Sequence, residues 1–201
     1  MVGMLETLNH WDTQLFLFLN GLHSPLLDPV MWWVSEKTSW IPLYVGLVGY
    51  LVYAYRWKAL WILLGVAVLM AASDQGAVYL FKEVFERPRP CHQPDLAAVV
   101  HLVNDYCGGR YGFISGHACN HFAVACFTAL WFRAWWYWVV ILLWAGLVSY
   151  SRVYLGVHFP GDVVVGALVG ALLAWTVYAG MLRIPAVNLR PVRKGAPPAR
   201  P

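Results

Sequence analysis

SGHACNHFAVACFTALWFRAWWYWVVILLWAGLVSYSRVYLGVHFPGDVVVGALVGALLAWTVYAGM, residues 115–181, carries only three formal charges, Arg133, Arg152 and Asp162. They divide it into uncharged runs at 118–132, 135–150 and 163–181. At 1.5 Å of rise per residue each run covers most of the roughly 30 Å of hydrocarbon in a bilayer. Upstream, 40–55 is uncharged, and 59–81 is interrupted only by Asp74 and Gln75. A further, short span is needed before Ser35; Asn20-Gly21 and Ser24-Pro25 break the pattern, so it is read at about 25–35, with 5–19 as a partly amphipathic helix at the interface.

Composition agrees. Of 201 residues 60% are hydrophobic and 12% charged, with 12 Trp, which is too apolar for an ordinary water-soluble domain. The predicted fold class is all-α: an integral membrane bundle of about six transmembrane helices with an N-terminal interfacial helix. One membrane-embedded domain occupies 1–182, followed by a basic, Pro-rich tail over 183–201. Glu6, His10 and Asp12 interrupt the start, so no cleavable signal peptide is expected. The run Trp135-Trp136-Tyr137-Trp138 beside Arg133 reads as an interfacial aromatic belt.

Arg56, Lys58, Arg133, Arg183, Arg190, Arg193, Lys194 and Arg200 fall on one side if six spans alternate. The positive-inside rule makes that side cytoplasmic and turns the loop over 83–114 and the short loop after Arg152 outward. Cys91 and Cys107 share the outward loop, and an oxidising compartment would let them form a disulfide worth on the order of 3 kcal/mol. Cys119 and Cys126, inside a span, read as core fillers. The net charge of +4 belongs mostly to the cytoplasmic loops and tail, so no nucleic-acid partner is expected.

Three polar clusters fall on the outward side. Lys82 ends a span, and two helical turns would return Arg89 to its face before Pro88 and Pro90 stop the helix. Ser115-Gly116-His117 stands at a helix start, where Ser115 can cap and the amide of Gly116 can meet an anion. His117 with His121 one turn on could suggest zinc, but no third ligand has a convincing spacing, so no metal is expected. In the third cluster His158 and Asp162 are four apart, with Pro160 suited to a first helical turn; the carboxylate can take the imidazole proton and leave the other nitrogen as a nucleophile. Arg152 can grip a phosphate with two donors, or pair with Asp162 as a structural ion pair. Asp74 reads as an interhelical contact.

Together Lys82-x6-Arg89-Pro90, Ser115-Gly116-His117 and Ser151-Arg152-x5-His158-x3-Asp162 resemble the three-part signature of the type 2 phosphatidic acid phosphatase family, which shares its site with vanadium haloperoxidases. The resemblance covers 82–162. One position departs: the family usually has proline before Ser-Gly-His, and Ile114 stands there. The resemblance implies that His158 attacks phosphorus and forms a phosphohistidine, Asp162 holds its tautomer, and His117 protonates the leaving group. It also implies that Lys82, Arg89, Ser115, Gly116 and Arg152 bind the phosphoryl group, with no cofactor. The expected activity is hydrolysis of a lipid phosphate at the outer face of a bacterial inner membrane, with the C-terminus cytoplasmic. Undecaprenyl diphosphate is the first substrate expected, followed by phosphatidylglycerophosphate, phosphatidic acid and lipid A phosphates. A lipid phosphotransferase would use the same residues; a non-catalytic anionic-lipid-binding protein would not need the His158/Asp162 pair. Oligomeric state is left open.

Overall fold

A computed structural model describes residues 2–184 as helices joined by short turns and one long loop. The basic tail expected over 183–201 lies almost wholly outside the described residues. Helix α1 (Val2–Asn20) and the short α2 (Asp28–Ser35) come first, then α3 (Ile41–Tyr55) and α4 (Ala59–Gly76). A π-helical stretch, Ala77–Lys82, and one last turn, α5 (Glu83–Phe85), prolong α4 to the outer loop. After that loop come α6 (Gly116–Phe132), α7 (Trp135–Tyr154) and α8 (Pro160–Leu182).

Among the described residues, three helical stretches are long and apolar enough to cross a membrane: 37–85, which contains both α3 and α4, Trp135–Tyr154, and Pro160–Leu182. Side chains such as Leu143, Leu168, Leu172 and Trp175 on α7 and α8 are exposed, as helices immersed in lipid require. The expected first span differs. Its helix starts at Asp28 and has eight residues, a rise of about 12 Å, short of the hydrocarbon thickness. The cause is local: Ser24-Pro25 sets a turn in which the amides of Leu27 and Asp28 both donate to the Ser24 carbonyl.

Helix α1 turns Met4, Leu8, Trp11, Leu15 and Phe18 outward at three- and four-residue spacing, an apolar stripe suited to lipid. Its other face, Asp12, Phe16 and Asn20, meets the ends of α7 and α8. Phe16 lies edge-on to Phe159, and Asn20 Nδ2 donates to the Tyr154 carbonyl at 2.8 Å.

Helices α6 and α8 form the tightest contact. Gly166 and Gly170, one turn apart on α8, let the backbones meet: a Cβ on Gly166 would sit 2.6 Å from the Ser115 carbonyl oxygen. Small residues four apart are a recurrent way for membrane helices to approach, since lipid offers no hydrophobic drive for association. Phe127, Ile62 and Leu69 fill the space between α6 and α4. Helix directions then decide the polarity of the bundle. Arg56, Lys58, Arg133 and Arg183 lie at one end, and Lys82, His117, Arg152 and His158 at the other.

Candidate active site

Between Phe85 and Ser115 the chain folds back over the outer end of the bundle. Glu86 adopts the left-handed conformation (φ 43°) and stops the helix, so the chain reverses and Pro88 forms an isolated antiparallel bridge with Tyr111. Arg89 N donates to the Arg110 carbonyl at 3.1 Å and Gly112 N to the Arg87 carbonyl at 2.8 Å. This corrects the reason given for the first cluster. Lys82 and Arg89 do converge, but through a chain reversal and not on one helical face. Cys91 and Cys107 are bonded across this loop with their Cα atoms 5.9 Å apart.

Three cations and two histidines meet under the loop. Arg89 is buried, its Nη1 3.4 Å from the Val157 carbonyl and its Nε without a partner among the described residues. Burial pushes the Arg89 guanidinium down from its ordinary value. Arg152 is buried too; it donates to Ser35 Oγ, and its Nε is likewise unsatisfied. Lys82 is half-buried and lies close enough to be repelled by both arginines. Buried cations with unused donors are costly without an anion to receive them.

His158 sits in the turn between α7 and α8, 2% exposed, facing this group of charges. Its pKa lies well below that of an ordinary histidine, first because it is buried and then because Arg89, Arg152 and Lys82 surround it. A neutral imidazole with a free lone pair results. Nδ1 is 3.5 Å from Asp162 Oδ2 and makes no hydrogen bond among the described residues; Gly112 packs on the same edge, where a Cβ would come within 3.1 Å of Asp162 Oδ2 and 3.5 Å of this nitrogen.

Asp162 is fully buried on the first turn of α8. Its Oδ2 accepts from the Phe159 amide at 3.0 Å, and its Oδ1 from Arg87 Nη1 at 2.7 Å. The cation paired with Asp162 is therefore Arg87; Arg152, the partner considered from sequence, is engaged with Ser35. Arg87 Nη2 reaches Asp12 Oδ2 at 2.7 Å, and Asp12 Oδ1 accepts from the Gly161 amide at 2.7 Å. The guanidinium also lies over the Phe159 ring, 4.1 Å from its centroid. Helix α1 thus braces the start of α8 through one arginine.

Ser115 is fully buried and caps α6, its Oγ accepting from the Ala118 amide, while its own amide donates to the Asp162 carbonyl at 3.0 Å. At Gly116 nothing lies within 4 Å of an added Cβ, so its backbone can be approached closely. His117 follows, half-buried, at the junction of two spaces. One is a polar cleft of about 510 Å³ lined by Glu36, Lys37, Tyr106 and Arg152; the other is an apolar groove of about 430 Å³ between α3, α4 and α6. His121 stacks on His117 with ring centroids 6.1 Å apart. It is held by the His117 carbonyl at Nδ1 and by Tyr44 Oη at Nε2, which leaves it no lone pair directed at a metal shared with His117. Among the described residues the group of potential metal ligands is Cys91, His92 and Cys107, whose sulfurs are committed to the disulfide.

The PAP2 superfamily model matches residues 58–185, well over half of the chain. The chain belongs to the PAP2 superfamily. It is 39% identical over 177 residues to a lipid A 4'-phosphatase of Bacteroides thetaiotaomicron, covering 87% of this chain and 79% of that one. A lipid A 4'-phosphatase of Porphyromonas gingivalis is also 39% identical, over 179 residues, with 87% and 74% covered. Among solved structures, the transmembrane PAP2 type phosphatidylglycerolphosphate phosphatase of Bacillus subtilis superposes with a TM-score of 0.68 at 26% identity, covering 89% of this chain and 88% of that one. The protein is thus a multi-pass membrane lipid phosphatase, a hydrolase of lipid phosphates.

In this PAP2 chain, Arg87 and Asp12 were absent from the residues read as functional in the sequence. Arg87 is visible there as the first half of Arg87-Pro88-Arg89-Pro90, where each arginine precedes a proline that disfavours helical backbone. Asp12 gives no such signal, because its partner is 75 residues away.

Proposed function

We propose that this protein removes a phosphate monoester from a saccharide-bearing lipid of the lipid A type, at the outer face of the cytoplasmic membrane, through a phosphohistidine on His158. Undecaprenyl diphosphate, the first expectation from sequence, takes second place because two relatives that are 39% identical over 177 and 179 residues are lipid A 4'-phosphatases. One observation carries the reading: His117 stands where the polar, cation-lined cleft opens into the apolar groove. The lipid can lie in the groove while its phosphate, at the His117 end, meets Arg152 and the cations gathered behind it.

In this scheme Lys82, Arg89 and Arg152 take the phosphoryl oxygens, satisfying donors that are otherwise idle, and the Gly116 amide at the start of α6 adds a fourth contact. Because phosphoryl transfer asks mainly for positioning and neutralised charge, these contacts supply most of the rate. Nδ1 of His158 carries the proton and faces Asp162; Nε2 attacks phosphorus. As the P–N bond forms, the P–O bond to the sugar breaks and His117 gives its proton to the departing oxygen. Water then enters from the polar cleft, loses a proton to His117, and displaces Nε2, releasing phosphate. Asp162, locked by Arg87 and the Phe159 amide, holds the imidazole for both halves.

The active site faces the exterior because Arg56, Lys58, Arg133 and Arg183 lie at the other end, which puts the C-terminus in the cytoplasm. Purified protein, assayed for phosphate release from lipid A, undecaprenyl diphosphate, phosphatidylglycerophosphate and phosphatidic acid, tests the reading. Lipid A should have the highest kcat/KM, and His158→Ala, still folded, should release nothing above background. Strong preference for a diphosphate, or full activity in His158→Ala, would overturn it.

A further inference from the structure

The apolar groove is not uniformly apolar. Asp74, on α4, points into it and accepts a hydrogen bond from Asn120 Nδ2 at 2.6 Å; Asn120 Oδ1 is taken by Ser73 Oγ. The second carboxylate oxygen of Asp74 has no hydrogen bond among the described residues, and the residue is exposed. A carboxylate inside a membrane span is costly and needs a reason. The contact with Asn120 occupies one of its two oxygens and leaves most of its accepting capacity open on a side chain that lines the groove.

Depth decides what can meet it. Asp74 lies eight residues before Lys82 on a continuous helical run, so on the order of 10 Å inward from the phosphoryl end. Asn120 is one turn inward from His117, the residue beside the leaving oxygen. Beyond the pair the groove is lined by Leu47, Leu51, Leu63, Val66, Met70 and Val124. A ligand that fits has three parts in order: a phosphoryl group, a unit that donates hydrogen bonds, and hydrocarbon. Lys37 lines both the cleft and the groove and so meets the charged end at the mouth; Asp74 lines the groove alone.

We infer that Asp74, oriented by Asn120, is a specificity-determining residue that accepts a hydrogen bond from a hydroxyl or amide N–H of the leaving group. It thereby favours phosphorylated saccharide lipids and disfavours polyprenyl diphosphates. The second phosphate of a diphosphate would bring negative charge toward a fixed carboxylate, and the chain beyond it has no donor to offer. A site built to bond a donor discriminates strongly against ligands that lack it. This rests on the phosphatase reading above and adds to it the residue that selects the leaving group.

The test compares ratios within one preparation, so that the folded fraction cancels. Full-length wild type, Asp74→Ala and Asp74→Asn are assayed in mixed micelles for phosphate release from lipid A, dioleoyl phosphatidic acid and undecaprenyl diphosphate. In Asp74→Ala the ratio of kcat/KM for lipid A to that for phosphatidic acid should fall at least fivefold. In Asp74→Asn, which keeps the shape and loses the charge, the ratio for undecaprenyl diphosphate to lipid A should rise at least threefold. Ratios within twofold of wild type overturn the inference while leaving the phosphatase reading intact, as does loss of all turnover in both variants. If wild type releases phosphate from none of the three lipids, the phosphatase reading itself fails.

Discussion

Replacing Arg87 by alanine removes a side chain that touches no part of the phosphoryl pocket, yet the geometry requires it to cost turnover. Its two terminal nitrogens bridge Asp162 and Asp12, each at 2.7 Å, and one of these carboxylates is completely buried. Charge-assisted hydrogen bonds are worth about 1.5–3 kcal/mol each, and stripping the partner from a buried charge costs about 3–5 kcal/mol. Arg87 is itself 20% exposed, so water restores part of the loss, and a net cost of about 3 kcal/mol follows. If Asp162 delivers that through the alignment of His158, kcat falls about a hundredfold. KM should change little, because Arg87 does not hold the phosphate. Arg87→Lys keeps the charge but cannot span two carboxylates with one ammonium, so it should recover no more than a tenth of wild-type kcat. Steady-state phosphate release by both variants, with thermal unfolding in the same detergent to verify folding, provides the assay. A folded Arg87→Ala enzyme with kcat within threefold of wild type would refute the bracing role of α1 and Arg87.

Because burial and three cations hold His158 neutral, the acid limb of kcat/KM should lie below the ordinary histidine range near 6.5, apart from ionisation of the substrate itself. The stability sign follows: below about pH 6.5 the unfolded chain takes up a proton that folded His158 refuses, so its contribution is intact above that pH and lost as pH falls. Thermal unfolding at pH 5 and pH 7 should show a smaller gap in His158→Gln than in wild type; an equal gap would contradict the assignment. Gly166→Ala forces a methyl group to within 2.6 Å of the Ser115 carbonyl and should destabilise the protein by about 1–3 kcal/mol, seen as a lower melting temperature in detergent. An unchanged melt would mean that α6 and α8 are less tightly joined than described.

Much of this was legible in the sequence for physical reasons that can be named. Uncharged runs mark membrane helices because hydrocarbon excludes charge, and α4, α6, α7 and α8 lie close to where those runs fall. Ser115, Pro160 and Asp162 behave as helix-start residues, so the positions of His117 and His158 at the outer rim followed from local rules. The route from Lys82 to Arg89 was misread because helical periodicity was carried through Glu86, where the backbone turns left-handed before either proline. The short span read at about 25–35 is the eight-residue α2, cut short of a crossing because the Ser24-Pro25 turn delays its start to Asp28. Gly166-x3-Gly170 was readable as a close-packing motif, though it names no partner; α6 could be identified only in three dimensions. Asp12 illustrates the remaining gap, since a lone acid reveals its role only once Arg87 is beside it; Asp74, read as an interhelical contact, does meet Asn120 of α6, a partner the sequence could not name.

The account depends most on His158 being the atom that takes the phosphoryl group. Wild-type protein mixed with substrate, quenched in alkali on the millisecond scale and digested for mass spectrometry should carry phosphate on the peptide containing His158, and the label should be absent in His158→Ala. Phosphate found on His117, or turnover with no phosphorylated histidine under conditions that preserve one, would contradict it.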